Sequence, residues 1–329
     1  MLTLVIIAIV IALVFDFLNG MNDAANSIAT IVSTKVLSPL AAVIWAAFFN
    51  FAAAFVFGQH VATTIGKEIV VPEVVDVYFI LATLIGSIFW VYFCTHFGLP
   101  ISVSHALIGG MLGPALIKGG TAAIYAAGII KVTAFIVLSP LIGLFLGYFL
   151  MIIALRIFRN MSPYKVDSIS RVLQLASSAV FSLGHGSNDA QKTMGIIAIL
   201  LYSSGYLGSE FYIPLWVVLA AYTTISLGTL TGGWKVIRTL GVNLTDLKPV
   251  GGLCAETAGA ITVIGSTLGG IPVSTTHTIT GSIIGTGITK RFSAVRWGVA
   301  KNVVFAWVFT IPSSMLISML IFWIISLFI

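Results

Sequence analysis

The sequence predicts an all-α polytopic membrane protein built from two inverted-topology repeats with broken or re-entrant half-helices. Three observations lead there. The 329 residues are 59% hydrophobic and only 8% charged, against about 25% charged in a soluble domain. Apolar runs recur at roughly the length of about 20 residues that crosses a bilayer core as helix. Two polar motifs, foreign to such runs, each occur twice in the same order.

Taken along the chain, the first apolar run covers 2–15. It has no basic segment before it and leads through Asp16 into a polar motif, so it reads as a retained first helix and not as a cleaved leader. The motif is LNGMNDAANS, with Gly20, Asn22, Asp23, Asn26 and Ser27. Runs at 40–57 and 77–98 follow. Then comes FGLPISVSHALIGGMLG at 97–113, too rich in Gly, Ser and Pro for an ordinary lipid-facing span. Gly98 and Pro100 interrupt one helix, and Ser102 or Ser104 is placed to cap the next. Irregular backbone at membrane depth is tolerated only where protein or a watery cavity surrounds it. A run at 133–155 closes the first half.

The second half repeats this plan. LGHGSNDAQKT places Gly186, Asn188, Asp189, Lys192 and Thr193 at an offset of 166 residues from the first motif. GGIPVSTTHTITGSIIG at 269–285 matches the first Pro-His block at an offset of 172, pairing Ser102 with Ser274, Ser104 with Thr276 and His105 with His277. Further apolar runs lie at 213–232 and 303–329. The expected division is an N-terminal transmembrane repeat over 1–160, a basic cytoplasmic linker over 161–167 and a C-terminal repeat over 168–329. Loop charge suggests inversion. The loop holding Lys67, Glu68, Glu73 and Asp76 is acidic, and its counterpart with Lys235, Arg238, Asp246 and Lys248 is basic, which puts them on opposite sides. Lys118 and Lys131 do not follow that layout. With the Pro-His blocks counted as crossings, each half has about five. Cys94 and Cys254 stand alone in apolar runs and read as small core residues. The net charge of +6 sits mostly in short loops and sets orientation; no nucleic-acid partner is implied.

The chemistry follows from the polar groups. A half-helix start within the membrane offers free N–H groups and partial positive charge, and so attracts anions. Ser102, Ser104, Ser274, Thr275 and Thr276 add hydroxyls there, and Asn22, Asn26, Asn188 and Lys192 add further donors. A tetrahedral oxyanion suits that set. His105 and His277 are placed to hydrogen-bond it or to accept protons. Asp23 and Asp189 work against it: at ~5 Å and an effective dielectric of ~20, each repels an anion by about 3 kcal/mol. Cations must therefore enter with the anion, or the carboxylates must be protonated. Oxygen ligands suit hard cations, which makes Asp23, Asp189, Asn22 and Asn188 candidate sodium ligands; the lone acid Glu256, which needs a cation, a proton or a hydrogen-bond network, joins them as a candidate. For Asp16, a cation-pathway role and a buried structural role are equally open. His60, His96 and His185 have no matched partner and read as core or interface residues. The nearest rival from another class, an intramembrane hydrolase, lacks any nucleophile–base or metal signature.

GMNDAANS and HGSNDAQKT, each followed by a GLPIS- or GIPVSTTH-type block, resemble the inorganic phosphate transporter family over most of the chain. The resemblance implies inverted repeats, a multi-pass protein of the cell inner membrane, import of inorganic phosphate with sodium or protons, and a homodimer. No cofactor is implied beyond sodium as coupling ion. Gln191-Lys192 resembles bacterial members and departs from animal-type ones. Sodium-coupled phosphate symport by alternating access is the leading expectation. A proton- or sodium-coupled sulfate carrier is the alternative, ahead of an anion channel.

Overall fold

A computed structural model describes residues 1–208 and 210–328. Those residues form twelve α-helices and no strand. The series begins with α1 (Leu2–Ser33), α2 (Pro39–Ala52), α3 (His60–Lys67), α4 (Val77–Phe97), α5 (Val103–Gly119) and α6 (Ala126–Ile157). It continues with α7 (Pro163–Ser203), α8 (Leu215–Thr231), α9 (Trp234–Arg238), α10 (Pro249–Leu268), α11 (Thr275–Ile288) and α12 (Trp297–Ser326). The second six therefore recapitulate the first: a long helix, a bent pair, a helical hairpin and another long helix. The bends are 81° in the α2–α3 pair and 66° in the α8–α9 pair.

Length and polarity sort these helices. Among the described residues, α1, α4, α6 and α12 alone are long and apolar enough to cross a membrane unaided, and the bent pairs raise that number to six. At 1.5 Å per residue the 17 residues of α5 and the 14 of α11 reach only about 25 and 21 Å, short of a core of about 30 Å. Each instead folds back on its predecessor. Ser87 of α4 donates to the Ala106 carbonyl of α5 at 3.0 Å, and Gly259 of α10 lies against Ile279 of α11. The expected broken segments are thus the tips of two helical hairpins.

Those tips are written in the sequence. Gly98 ends α4 in the left-handed region, at φ +70°, and Gly270 at φ +65° ends the α10 tip in the same way, a conformation that costs glycine no Cβ clash. Ser102 then caps α5 by accepting from the His105 N–H at 3.3 Å, and Ser274 caps α11 through the His277 N–H at 3.1 Å.

The two series interlock instead of packing side by side. α5 of the first lies along α12 of the second, and α11 of the second lies along α6 of the first. A Cβ added to Gly109 or Gly113 would overlap the Ile311 and Met315 carbonyls. One added to Gly281 or Gly285 would overlap those of Pro140 and Leu144. Small residues that let backbones touch are the common device of helix packing in lipid. At the centre α1 crosses α7, the corresponding first helix of the other series. Thr193 donates to Asp16 at one end of this contact and Thr34 to Gln174 at the other, so the two run antiparallel.

Helix α7 begins within the 161–167 stretch read as linker from its charge. Ser162 accepts from the Lys165 N–H and Pro163 opens α7, a Ser-Pro start that favours helix at once. Lys165, Asp167 and Arg171 therefore ride on the first turns, with Arg171 bound to Asp167 at 2.7 Å. Lys118 and Lys131, out of place in the loop-charge reading, pair with Asp76 (2.5 Å) and Glu68 (3.5 Å) of the acidic loop. Cys94 and Cys254 are free and buried, as expected. Large apolar side chains of α6 and α12, among them Ile130, Phe145, Val308 and Leu320, are exposed, as a lipid-facing surface requires.

Candidate functional site

The site forms where both hairpin tips meet the α1–α7 crossing. Ser104 of one tip donates to the Val273 carbonyl of the other at 3.3 Å. The two Asn-Asp pairs, with Asn26, Lys192, Ser104 and Thr276, are all buried, none more than 5% exposed. Desolvated polar groups at this density must satisfy one another or a guest.

The asparagine of each Asn-Asp pair holds its own hairpin. Asn22 donates to Thr95 in the last turn of α4 at 2.6 Å, and Asn188 donates to Thr267 in the last turn of α10 at 2.9 Å. Asn188 also reaches the Ile271 carbonyl at 3.3 Å. The residue three beyond each motif aspartate crosses to the opposite hairpin. Asn26 donates to Thr275 and Thr276 at 3.1 and 3.0 Å. Lys192 donates to Ser104 at 2.5 Å and to the Val273 carbonyl at 3.1 Å.

The carboxylates lie between these arms. Asp23 accepts from Thr276 at 3.2 Å. Asp189 accepts from Thr275 at 3.1 Å and from Lys192 one helical turn along. His185 Nε2 lies 3.1 Å from Asp189 Oδ2, close enough for an ion pair but not aligned as a hydrogen bond. Its other nitrogen faces Asn50 Oδ1 at 3.1 Å, and Asn50 donates to Thr229 at 3.0 Å. Asp23, His185 and Asp189 each present a ligand atom within 4.8 Å of the others.

Several buried oxygens in this region have no donor among the described residues: Asn19, Asn22, Asn26 and Asn188 Oδ1, and Asp16 Oδ2. An unsatisfied buried acceptor costs about 1–3 kcal/mol. A cation with a preference for oxygen ligands satisfies several at once.

The remaining candidates occupy different surroundings. Glu256 accepts from Thr30 (2.6 Å), Gln174 (2.9 Å) and Ser177 (2.6 Å), tying α10 to α1 and α7. Thr30 is seven residues beyond Asp23 on α1, about 10 Å along the helix, so Glu256 belongs to a second polar cluster. His105 and His277 meet each other, their ring centres 4.8 Å apart, and His277 stacks on Trp307 at 3.7 Å. Among the described residues their rings make no hydrogen bond to either Asn-Asp motif; the His277 ring contacts the Ile136 carbonyl at 3.3 Å. Ser102 and Ser274 serve as helix caps.

Four participants escaped the sequence reading. His185 was placed among core histidines, yet it is one turn before Asp189, a spacing that puts both on one helix face. Thr95 and Thr267 stand in equivalent positions, at the same offset as the Pro-His blocks, which is the signal that points to them. Gln191 accepts from the Val61 and Ala62 N–H groups at 2.9 and 3.3 Å and donates to the Gly58 carbonyl at 2.8 Å, so it anchors the start of α3.

The sequence of the phosphate transporter family matches residues 19–318, a span that includes both motifs and both hairpin tips. The chain belongs to the phosphate transporter family. It is similar to a probable low-affinity inorganic phosphate transporter of Rhizobium meliloti (strain 1021), 56% identical over 312 residues, or 95% of this chain and 93% of that one. A relative of the same description from Bacillus subtilis (strain 168) is 42% identical, with 95% of each chain covered. Among solved structures, one described as the sodium-dependent phosphate transporter matches with a TM-score of 0.88 at 26% identity, covering 99% of this chain and all of that one. The protein is a membrane transporter and not an enzyme, which removes the hydrolase reading.

Proposed function

We propose that the protein imports inorganic phosphate by secondary symport with sodium, in the inner (plasma) membrane, through alternating access between inverted repeats. The observation that carries this reading is the convergence of two hairpin tips from opposite halves on two buried Asn-Asp motifs. Each tip presents a helix start, and hydroxyls of the two tips (Ser104 of one, Thr275 and Thr276 of the other) contact the motif side chains. Free N–H groups and hydroxyls at such starts bind a tetrahedral oxyanion. The carboxylates of Asp23 and Asp189 oppose that anion unless cations accompany it, and the unsatisfied oxygens of Asn22 and Asn188 are suited to hold them.

The antiparallel run of α1 against α7 supports inversion, since corresponding helices of inverted repeats point in opposite directions. Burial of the whole site from both sides fits an occluded stage of the cycle. A cation role for Glu256 belongs to the second cluster, with Thr30, Gln174 and Ser177 sharing it. His105 and His277 then act on the substrate through the helix starts that carry them. The exposed apolar faces leave room for the expected homodimer.

Purified protein in proteoliposomes tests the proposal. An inward sodium gradient is expected to drive uptake of radiolabelled phosphate, and sulfate in excess is expected not to compete. Uptake that persists without sodium and collapses with a pH gradient overturns sodium coupling.

A further inference from the structure

The two motifs place different groups at one equivalent position. Counted from the motif aspartate, Asn26 and Lys192 are both three residues on, and both reach the opposite hairpin, Asn26 at Thr276 and Lys192 at Ser104. These two targets are themselves equivalent in the Pro-His blocks. The first half therefore presents a neutral amide where the second presents an ammonium.

Lysine has three N–H donors and no acceptor. In Lys192 all three are engaged by oxygens: the Asp189 carboxylate, the Ser104 hydroxyl and the Val273 carbonyl. The side chain is 2% exposed. A carboxylate, a hydroxyl and a backbone carbonyl from a broken-helix tip form the ligand set that cation sites of transporters use. No donor of Lys192 remains for a phosphate oxygen. Asp23 has no such partner: its hydrogen bond comes from the neutral Thr276, and the Oδ1 atoms of Asn22 and Asn26 near it lack donors.

We propose that Lys192 is a tethered cation that occupies the coupling-ion position of the C-terminal half, so that only the Asp23 half takes an exchangeable ion. The inference rests on the proposed sodium symport and assigns its ions unequally. The C-terminal half carries its neutralising charge permanently, and phosphate binding then depends on one ion where two identical motifs would demand two. Lys192 acts as a positioning and charge-compensating residue and not as a phosphate ligand.

Sodium-titrated phosphate binding to purified, monodisperse protein tests it with three variants. Lys192→Asn gives the second motif the side chain of the first. At low sodium its phosphate affinity is expected to fall at least about tenfold, equivalent to about 1.4 kcal/mol, then to recover at high sodium with one additional ion taken up per phosphate. Lys192→Met fills the space without charge, and sodium is expected not to rescue it. Asn26→Lys installs the tethered cation in the first half and is expected to remove sodium dependence from phosphate binding. The proposal is overturned if Lys192→Asn keeps the wild-type sodium dependence, if high sodium cannot restore its phosphate binding while it remains folded, or if Asn26→Lys remains as sodium-dependent as the wild type. Failure of the underlying function reads differently, since wild-type protein then binds no phosphate or binds it equally with and without sodium. Where wild-type binding is merely independent of sodium, a sodium requirement gained by Lys192→Asn still reports on Lys192.

Discussion

The Asn-Asp motifs of α1 and α7 are built alike and charged differently. In both, the asparagine before the aspartate pins a threonine in its own hairpin, and the residue three beyond the aspartate grips the opposite hairpin tip. What differs is compensation. Asp189 lies against Lys192 and beside His185, whereas Asp23 receives one hydroxyl hydrogen bond. The two motifs thus share one hydrogen-bonding plan while their electrostatics differ, because an amide and an ammonium can reach equivalent hydroxyls yet carry different charge.

Substitutions can break this comparison, the largest effect first. Asp189→Asn removes one member of a buried ion pair and leaves an ammonium without its counter-charge, which costs about 3–5 kcal/mol. A clear drop in thermal stability in detergent is expected. Asp23→Asn removes no fixed ion pair, so stability is expected to hold while sodium-driven uptake falls at least about a hundredfold, or about 2.7 kcal/mol. Equal stability losses in the two variants would erase the claimed asymmetry.

Smaller effects sharpen it. Thr276→Ala removes the partner of both Asp23 and Asn26, and Ser104→Ala removes a hydroxyl acceptor from Lys192. Each loss costs about 1–3 kcal/mol where a buried group is left unpaired. Phosphate affinity is expected to weaken in both, and sodium affinity only in Thr276→Ala. Thr95→Val and Thr267→Val are expected to be equivalent, each lowering stability by about 1 kcal/mol, since the two asparagine–threonine contacts match. A difference between them larger than that would show that the hairpins are held unequally.

Much of this was legible in the sequence for a physical reason. Charged and amide side chains are expensive inside a membrane, so a polar motif written twice in apolar sequence marks a site, and Gly-x-Pro followed by Ser or Thr marks a broken helix with its cap. The hairpin tips at 98–102 and 270–274, and the gathering of Asp23, Asp189, Asn26 and Thr276, follow from those signals. Other contacts had no local trace. His185 finds Asn50 across 135 residues, and Lys192 finds Ser104 across 88. On a helix as polar as the middle of α7, periodicity does not tell which side faces the site. Glu256 shows the same limit: a lone acid announces a polar environment, yet only the fold reveals Thr30, Gln174 and Ser177 around it.

The central claim is that the aspartates make phosphate binding conditional on cations and that the hairpin tips grip the anion. Phosphate binding measured across a sodium titration, in wild-type and Asp23→Asn protein, tests this most directly. The account predicts wild-type affinity that rises with sodium and, by reciprocity, sodium affinity that rises with phosphate. It predicts an Asp23→Asn response that is flat in sodium. Wild-type phosphate affinity independent of sodium, or an Asp23→Asn titration identical to the wild type, would contradict it.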